Sequence, residues 1–308
     1  MKIIFPAGWV KKFEDILVRY DPVKSRDTEV IFDFPAGCKL MIDVGIRILS
    51  LIEQLHHMGK RVQLNFDLEL FGYLDRMGFF SVLSQDIEVS PKRREVSSHD
   101  VYYGENKNLV EICPLPPGGA STVHAIPGRL AGKLVSVLGQ SPMVPKSFEN
   151  DMFTVFSELI GNYFEHSESE IPGFVVAQTY TNGQNIRIAV SDSGLGILKT
   201  IRMARAIEFQ NKSDSDLILD VFNEGVSRHG QNVGRSCGLN SLGQISIKYN
   251  AELTVRMPGC QVLLKPGTTK LEGNYAFFRS QLGFLRGTHL CFKFPLDKSG
   301  RLCYNRGK

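Results

Sequence analysis

The sequence lacks the features of a secreted or membrane-spanning protein. Its 308 residues contain no apolar run long enough to cross a bilayer, and the short apolar stretch at the N-terminus ends at Pro6 before charge returns at Lys11. The six cysteines are scattered, without a C-x-x-C pair or a histidine at metal-ligand spacing, so we expect no zinc site. Single cysteines of this kind are typical of a reducing compartment, and we therefore predict a cytoplasmic protein.

A strong excess of charge of either sign is also missing. The net charge of +4, with 22% charged residues, falls short of the basic excess of a dedicated nucleic-acid binder. We therefore expect no specific nucleic-acid partner and no membrane partner. The hydrophobic content of 43% is ordinary for a folded protein, and the length indicates about two domains.

The first part of the chain alternates between strand-like and helical segments. KIIF, EVIFDF and RVQLNF are strand-like, and amphipathic helices are predicted over 40–58 and up to Gly78. This alternation predicts an α/β domain over residues 1–90, with a parallel or mixed sheet. Residues 30–80 resemble the STAS fold of anti-sigma-factor antagonists, through VIFDF, IDVGIRILSLIEQLHHMGKR and VQLNF.

The STAS-like resemblance implies a regulatory or docking domain. Regulated members of that family accept a phosphate on a Ser or Thr near the start of the long helix. The corresponding loop here, PAGCKLMIDVG, contains no hydroxyl residue. We therefore expect a docking surface without a phosphate switch, and a generic α/β layer is the alternative.

A polar stretch rich in proline and glycine separates the two halves. Residues 91–119, which include PLPPG, are predicted as a linker with a possible strand pair formed by VYYG and LVEICPL. A second domain is predicted over 120–298, and residues 299–308 form a C-terminal tail.

One helix of the second domain carries an unusual polar face. In SELIGNYFEHSE, Glu158, Asn162 and His166 recur at intervals of four and therefore lie on one face. Asn is a poor helix former, so its position within the helix indicates a specific task, whereas a solvated face is the alternative. The residues predicted to lie on the opposite, buried side are Phe153, Phe156, Ile160, Tyr163 and Phe164.

A hairpin and an acidic, glycine-containing turn follow this helix. GFVVAQTYT and NIRIAVS flank Asn182-Gly183, which is a strong β-hairpin signal. The second strand runs directly into the turn that contains Asp192, Gly194 and Gly196. The glycines let the backbone approach a ligand closely, and the acid lies at the end of the strand.

Two further glycine-containing segments complete the pattern. Gly234 and Gly238 precede a helix in GRSCGLNSLGQI, and free N–H groups at a helix N-terminus favour anions. A last strand, HLCFKFP, is introduced by Gly287 and Thr288.

The order and spacing of these four elements resemble the ATP-binding domain of the GHKL superfamily, which gyrase, the ninety-kilodalton heat-shock chaperone, sensor histidine kinases and MutL share. The resemblance covers about residues 120–298 and is closest to the anti-sigma-factor serine kinases. It implies a Bergerat-type two-layer α/β sandwich with a mixed sheet. The implied ligands are ATP and Mg2+.

The resemblance also implies roles for the polar helix face and for the acidic turn. Glu158 corresponds to the general base, Asn162 to the magnesium ligand and His166 to a position at the phosphate end. Asp192 corresponds to the acid that accepts the exocyclic amine of adenine. The turn under the base corresponds to Gly194 and Gly196, and Thr288 corresponds to a threonine that hydrogen-bonds near the adenine.

A lid over the phosphates is implied between the two glycine-containing turns. The segment before the last helix offers Arg228, His229 and Arg235 as donors for the terminal phosphate, and solvated lid residues are the alternative for Arg228 and His229. Gly234, Gly238 and Leu239 correspond to the second glycine box at the hinge of this lid. The family usually has a further glycine between those two glycines, whereas this sequence has a serine there.

Three functions remain open at this stage. The chain is an ATP-dependent regulatory ATPase that controls a protein partner, a protein serine kinase acting on a separate chain, or an inactive nucleotide-binding scaffold. A protein partner is expected in the first two cases, and a homodimer is one option.

Overall fold

The computed structural model describes residues 1–11, 13–105, 108–117, 125–138, 146–166, 168–180, 182, 184–227, 238–278 and 282–303. Within these ranges the chain is an α/β protein, as the sequence predicts. The elements of the first part are β1 (Lys2–Ile4), β2 (Gly8–Trp9), α1 (Phe13–Tyr20), β3 (Glu29–Phe34), β4 (Cys38–Lys39), α2 (Ile42–His57), β5 (Arg61–Phe66), α3 (Leu68–Arg76), α4 (Phe79–Val82), β6 (Glu88–Ser90) and α5 (Ser98–Tyr102). Those of the second part are β7 (Leu109–Leu115), α6 (Ala125–Leu138), α7 (Lys146–His166), β8 (Gly173–Tyr180), β9 (Asn185–Ser191), α8 (Ile197–Ala204), α9 (Ala206–Phe209), α10 (Asp214–Glu224), α11 (Gly238–Lys248), β10 (Glu252–Met257), β11 (Cys260–Pro266), β12 (Leu271–Phe278) and β13 (His289–Pro295).

The first part forms a four-stranded parallel sheet in the order β1-β3-β5-β6. Alternate residues of β3 and β5 are buried, because successive side chains of a strand point to opposite faces. A short parallel pair, β2–β4, lies beside this sheet. Parallel neighbours need crossover connections, and α2 supplies the one between β3 and β5.

The second part forms a seven-stranded sheet in the order β12-β11-β10-β13-β9-β8-β7. All six pairings are antiparallel, so the expectation of a mixed sheet is wrong. The physical reason lies in β13. Strands β9 and β10 run in the same direction, as a helical crossover requires, but β13 lies between them and is antiparallel to both. The predicted hairpin β8–β9 is confirmed.

Residues 91–119 contain regular structure. Strand β7 pairs with β8 at the edge of the large sheet. Val101 and Tyr102, expected in a strand, lie in α5 instead. The hydroxyl of Ser97 accepts a hydrogen bond from the backbone N–H of Asp100 and so caps this short helix.

The large sheet is buried on both faces. Val175 and Ile188 belong to the core under helices α6, α7, α10 and α11, whereas Phe174, Val176 and Ala189 belong to the core shared with the first part of the chain. The predicted two-layer sandwich accounts for the large sheet and the helices on one of its faces. The structure adds a third layer, from the first part of the chain, on the other face. None of the helices in the described ranges is both long enough and apolar enough to cross a bilayer.

Helix α2 is that covering layer. Twelve of its sixteen residues are buried. It packs against β8, β9 and β13 of the large sheet and also against β5 of the small one. The apolar residues of one helix therefore contribute to the burial of two sheets, and α2 ties the two parts of the chain together.

A chain of alternating charges runs through the same interface. The guanidinium of Arg256 on β10 is 1% exposed and donates to both carboxylate oxygens of Glu14 on α1, at 3.2 and 3.1 Å, and to two backbone carbonyls before β13. Arg47 contacts Glu14 at 3.1 Å and Asp43 at 3.7 Å, and Arg187 on β9 contacts Asp43 at 2.9 Å. Each carboxylate thus lies between two guanidinium groups, which offsets the cost of burying the charges.

We expect Glu14→Gln to destabilise the protein strongly, because it leaves the buried Arg256 without its carboxylate. Breaking one partner of a buried ion pair typically costs about 3–5 kcal/mol in the free energy of unfolding. Chemical denaturation followed by circular dichroism measures the change. The matched control is Glu252→Gln on the same strand as Arg256, since Glu252 forms a partly exposed pair with Lys293 and its loss should cost less than about 1 kcal/mol. Equal effects of the two substitutions would contradict the role assigned to Glu14.

Candidate functional site

The end of β9 places Asp192 against the segment that introduces β13. The Asp192 side chain is 6% exposed, and its Oδ1 accepts a hydrogen bond from the backbone N–H of Gly194 at 2.8 Å. The backbone N–H of Asp192 donates to the carbonyl of Thr288 at 3.0 Å. The Thr288 side chain is 4% exposed, and its hydroxyl accepts from the N–H of Ile197 at 3.3 Å. Three residues predicted from distant motifs, Asp192, Gly194 and Thr288, are therefore brought together.

Two glycines in this region have backbone conformations that other residues rarely adopt. Gly196 has a φ of +84° and Gly287 a φ of +95°. A Cβ at Gly287 would lie 2.0 Å from the backbone oxygen of Asp192, so no side chain fits there. Gly196 was predicted as a site residue, and Gly287 was not. The signal for Gly287 was present, since it directly precedes Thr288 in the sequence.

Burial changes the acidity of Asp192. It raises the pKa of this carboxyl to about 6, and hydrogen bonds from Gly194 and Thr288 act in the opposite direction. The charged carboxylate is therefore costly in the folded protein unless a donor reaches it. A buried acid at the end of a strand, beside a glycine turn, is a group suited to accept a hydrogen bond from a ligand.

Helix α7 carries the predicted polar face. Glu158 and Asn162 are half-buried, and the Asn162 amide nitrogen donates to the backbone carbonyl of Glu158. His166 is the last residue of α7, and its side chain lies outside the described residues. Of the residues expected on the buried side, Phe153 is 49% exposed, so that expectation is wrong for it. Those that do pack in the core are Phe156, Ile160, Tyr163 and, partly buried, Phe164.

The start of α11 meets the Glu158 carboxylate. A Cβ at Gly238, the first residue of α11, would lie 2.0 Å from Glu158 Oε2, so the carboxylate occupies the space that the missing side chain leaves. A negative charge at a helix N-terminus is favoured by the free N–H groups and the helix dipole. Leu239 is buried beside it. The structure thus brings Glu158 and the described end of the second glycine box, Gly238, together.

The predicted lid and the second glycine box lie partly outside the described residues. The residues concerned are Arg228, His229, Gly234, Arg235 and the serine between the two glycines of the second box. Helix α7 packs against both α8, which begins directly after Gly196, and α11. The described part of the site therefore consists of contiguous elements.

An open cleft of about 600 Å³ flanks the glycine turn. Gly194, Leu195 and Gly196 form one part of its lining, and α8, the first residue of α10, the β10–β11 turn and the segment before β13 form the rest. Neither Asp192 nor Thr288 is among its lining residues, and neither are Glu158 and Asn162. The turn therefore has a solvent-accessible side to which Asp192, Thr288, Glu158 and Asn162 do not contribute.

Within the described ranges, no group of three or more His, Cys, Asp or Glu side chains could hold a metal ion. The half-buried pair Asn162 and Glu158 offers an amide oxygen and a carboxylate one turn apart. Mg2+ is commonly bound by one or two protein oxygens together with substrate phosphates and waters. Two protein oxygens alone are too few ligands for a resident metal ion.

Comparison of the sequence with protein-family models and with curated proteins finds no match. The functional assignment therefore depends on the chemistry of the residues described above. The geometry alone establishes a buried acid and a glycine turn at the end of a sheet strand, and a carboxylate at the N-terminus of a helix that packs on the same core.

The raised pKa of Asp192 predicts a pH-dependent contribution to stability. Between about pH 4 and about pH 6 the folded protein keeps a proton that the unfolded chain has released, so stability falls as the pH rises through this window. Asp192→Asn cannot ionise and keeps an oxygen that accepts from Gly194. We therefore expect the unfolding free energy of Asp192→Asn, relative to wild type, to increase by about 3 kcal/mol between about pH 4 and about pH 7. Denaturant titrations at several pH values measure it, and a constant difference would show that Asp192 ionises normally.

Proposed function

We propose that the protein binds Mg-ATP and acts as a regulatory ATPase that controls a protein partner. The observation that carries the proposal is the meeting of Asp192 and Thr288 beside the Gly194–Gly196 turn, on a sheet covered by α7, the helix that carries Glu158 and Asn162. The four segments concerned are those that resemble the GHKL superfamily. Their convergence is what an ATP site of that type requires.

The base-binding end of the proposed site is Asp192. A carboxylate accepts a hydrogen bond from the exocyclic amine of adenine, whereas guanine presents a carbonyl oxygen at that position and would repel it. The Gly194–Gly196 turn lacks side chains at two of its three positions and so leaves room for a flat ring. This end of the site supports a preference for adenine.

The phosphate end of the proposed site is formed by α7 and α11. Asn162 would supply an oxygen to magnesium, and the N-terminus of α11 would favour a phosphate by its free N–H groups. The Glu158 carboxylate adjoins this N-terminus and would serve as the base that takes a proton from water or from a hydroxyl. Phosphoryl transfer depends mainly on positioning and charge neutralisation, which these groups can provide together.

The first test of the proposal is the preference for adenine. We expect wild-type protein to bind Mg-ATP more tightly than Mg-GTP, and Asp192→Ala to bind Mg-ATP about ten- to a hundredfold more weakly, because one hydrogen bond to a charged group is lost. Isothermal titration calorimetry with both nucleotides measures these affinities. GTP binding by the same variant is the internal control and should change little. Equal binding of ATP and GTP by the wild type would refute the base assignment.

Substitutions of Glu158 and Asn162 are expected to impair different steps, hydrolysis for Glu158 and ATP binding for Asn162. Asn162→Ala removes a metal ligand and should weaken magnesium-dependent ATP binding. Glu158→Gln keeps the shape but not the base, so it should still bind ATP while single-turnover hydrolysis slows by about 10²–10⁴-fold. Affinity and single-turnover rates of both variants, measured side by side, provide the test.

The same measurements separate the remaining functions. If Glu158→Gln hydrolyses ATP at the wild-type rate, the base is a residue other than Glu158. Transfer of the labelled γ-phosphate to a second protein would favour the serine kinase. Binding without turnover, even with a partner present, would favour the inactive scaffold.

A further inference from the structure

Helix α2 reaches the base-binding end of the site through Gln54. This side chain is 2% exposed and is satisfied at both ends of its amide. Its nitrogen donates to the hydroxyl of Ser193 at 2.9 Å and to the carbonyl of Arg286 at 3.1 Å. Its oxygen accepts from the backbone N–H of Arg286 at 3.1 Å. Ser193 directly follows Asp192, and Arg286 lies two residues before Thr288, so one amide bridges the two segments that hold the proposed adenine contacts.

A second chain of hydrogen bonds from α2 ends at the backbone carbonyl of Arg286, which Gln54 also contacts. His289 is fully buried, and desolvation lowers its pKa well below the usual range, so the imidazole is neutral. Its Nε2 lies 3.0 Å from the carbonyl of Arg286 and must be the donor, because a carbonyl only accepts. Nδ1 therefore accepts from the hydroxyl of Ser191, and Ser191 in turn accepts from the hydroxyl of Ser50 at 2.7 Å.

Four of the polar residues of α2 form one stripe along the helix. Asp43, Arg47, Ser50 and Gln54 recur at intervals of four, three and four, which places them on a single face. Asp43, Ser50 and Gln54 bond to groups in the β9 region of the large sheet. These polar contacts therefore fix the position of α2 along the sheet, which apolar packing alone would not do.

We propose that Gln54 is a positioning residue through which the N-terminal part of the chain sets the affinity of the site for adenine. The inference rests on the proposed ATP-binding function. Gln54 holds the Ser193 hydroxyl and the Arg286 backbone at a fixed separation, and Asp192 and Thr288 belong to the same two segments. A partner that shifts α2 against the sheet would change ATP affinity, and ATP would change the affinity for that partner by the same factor.

The test compares Gln54→Met with a matched control. Methionine has a similar length but makes none of the three hydrogen bonds. The control is Gln63→Met, because Gln63 is a partly buried amide on β5 that bonds to Asn65, within the N-terminal sheet. Mg-ATP and Mg-GTP affinities of full-length wild type and both variants are measured by calorimetry.

We expect Gln54→Met to bind Mg-ATP about tenfold more weakly while GTP binding changes little, so that the ratio of ATP to GTP affinity falls. Gln63→Met should keep the wild-type ratio. In an Asp192→Ala background, Gln54→Met should have a smaller further effect on ATP affinity than in the wild type, because one of the two contacts that it positions is already gone. If Gln54→Met does not fold, Ser193→Ala removes one of the three bonds from the other side and should lower the same ratio by a smaller factor.

The outcomes separate the two hypotheses. Wild-type protein without a preference for ATP would refute the proposed function, and the positioning role would fall with it. A wild type that prefers ATP, with unchanged affinities in Gln54→Met or in Ser193→Ala, would refute the positioning role alone. Equal weakening of ATP and GTP binding would show a merely structural role for Gln54 and would also overturn the inference.

Discussion

The packing of α2 between two sheets is the constraint on which the remaining structure depends. Each buried leucine or isoleucine contributes about 1.5–3 kcal/mol relative to an exposed one, and α2 has such residues on both sides. Removing either sheet would expose one of these sides to water. The two parts of the chain therefore share a core, although each has its own sheet and its own strand order.

Polar groups within this apolar interface determine how the parts fit together. Apolar contact tolerates sliding, whereas Arg256 and Gln54 are satisfied only in one arrangement, because a buried donor or acceptor without a partner is costly. The charge chain fixes α1 and the start of α2, and the Gln54 and Ser50 bonds fix the second half of α2. The position of the N-terminal part is thus specified along the whole length of the helix.

This arrangement changes the role expected of the N-terminal domain. The sequence suggested a docking surface on a module without a phosphate acceptor, and the long helix is now occupied by the protein's own large sheet. Any influence of this domain on the site would act by contact through Ser193 and Arg286 and would need no phosphate. The buried acid at Asp192 is sensitive to such contact, because small changes in its hydrogen bonds alter the cost of its charge.

The sequence by itself determined the local elements: the β8–β9 hairpin from Asn-Gly, a parallel or mixed sheet from the alternating segments of the first part, and the acidic turn after β9. Such features depend on side-chain periodicity and turn chemistry over a few residues. The spacing of the polar residues of α2 can also be read from the sequence, but their partners cannot, because Gln54 and Ser193 are 139 residues apart. Only the tertiary structure decided that β13 lies between β9 and β10, that α2 covers the second face of the large sheet and that Glu158 meets Gly238. These contacts depend on how distant segments pack, and periodicity along the chain carries no information about which segments become neighbours.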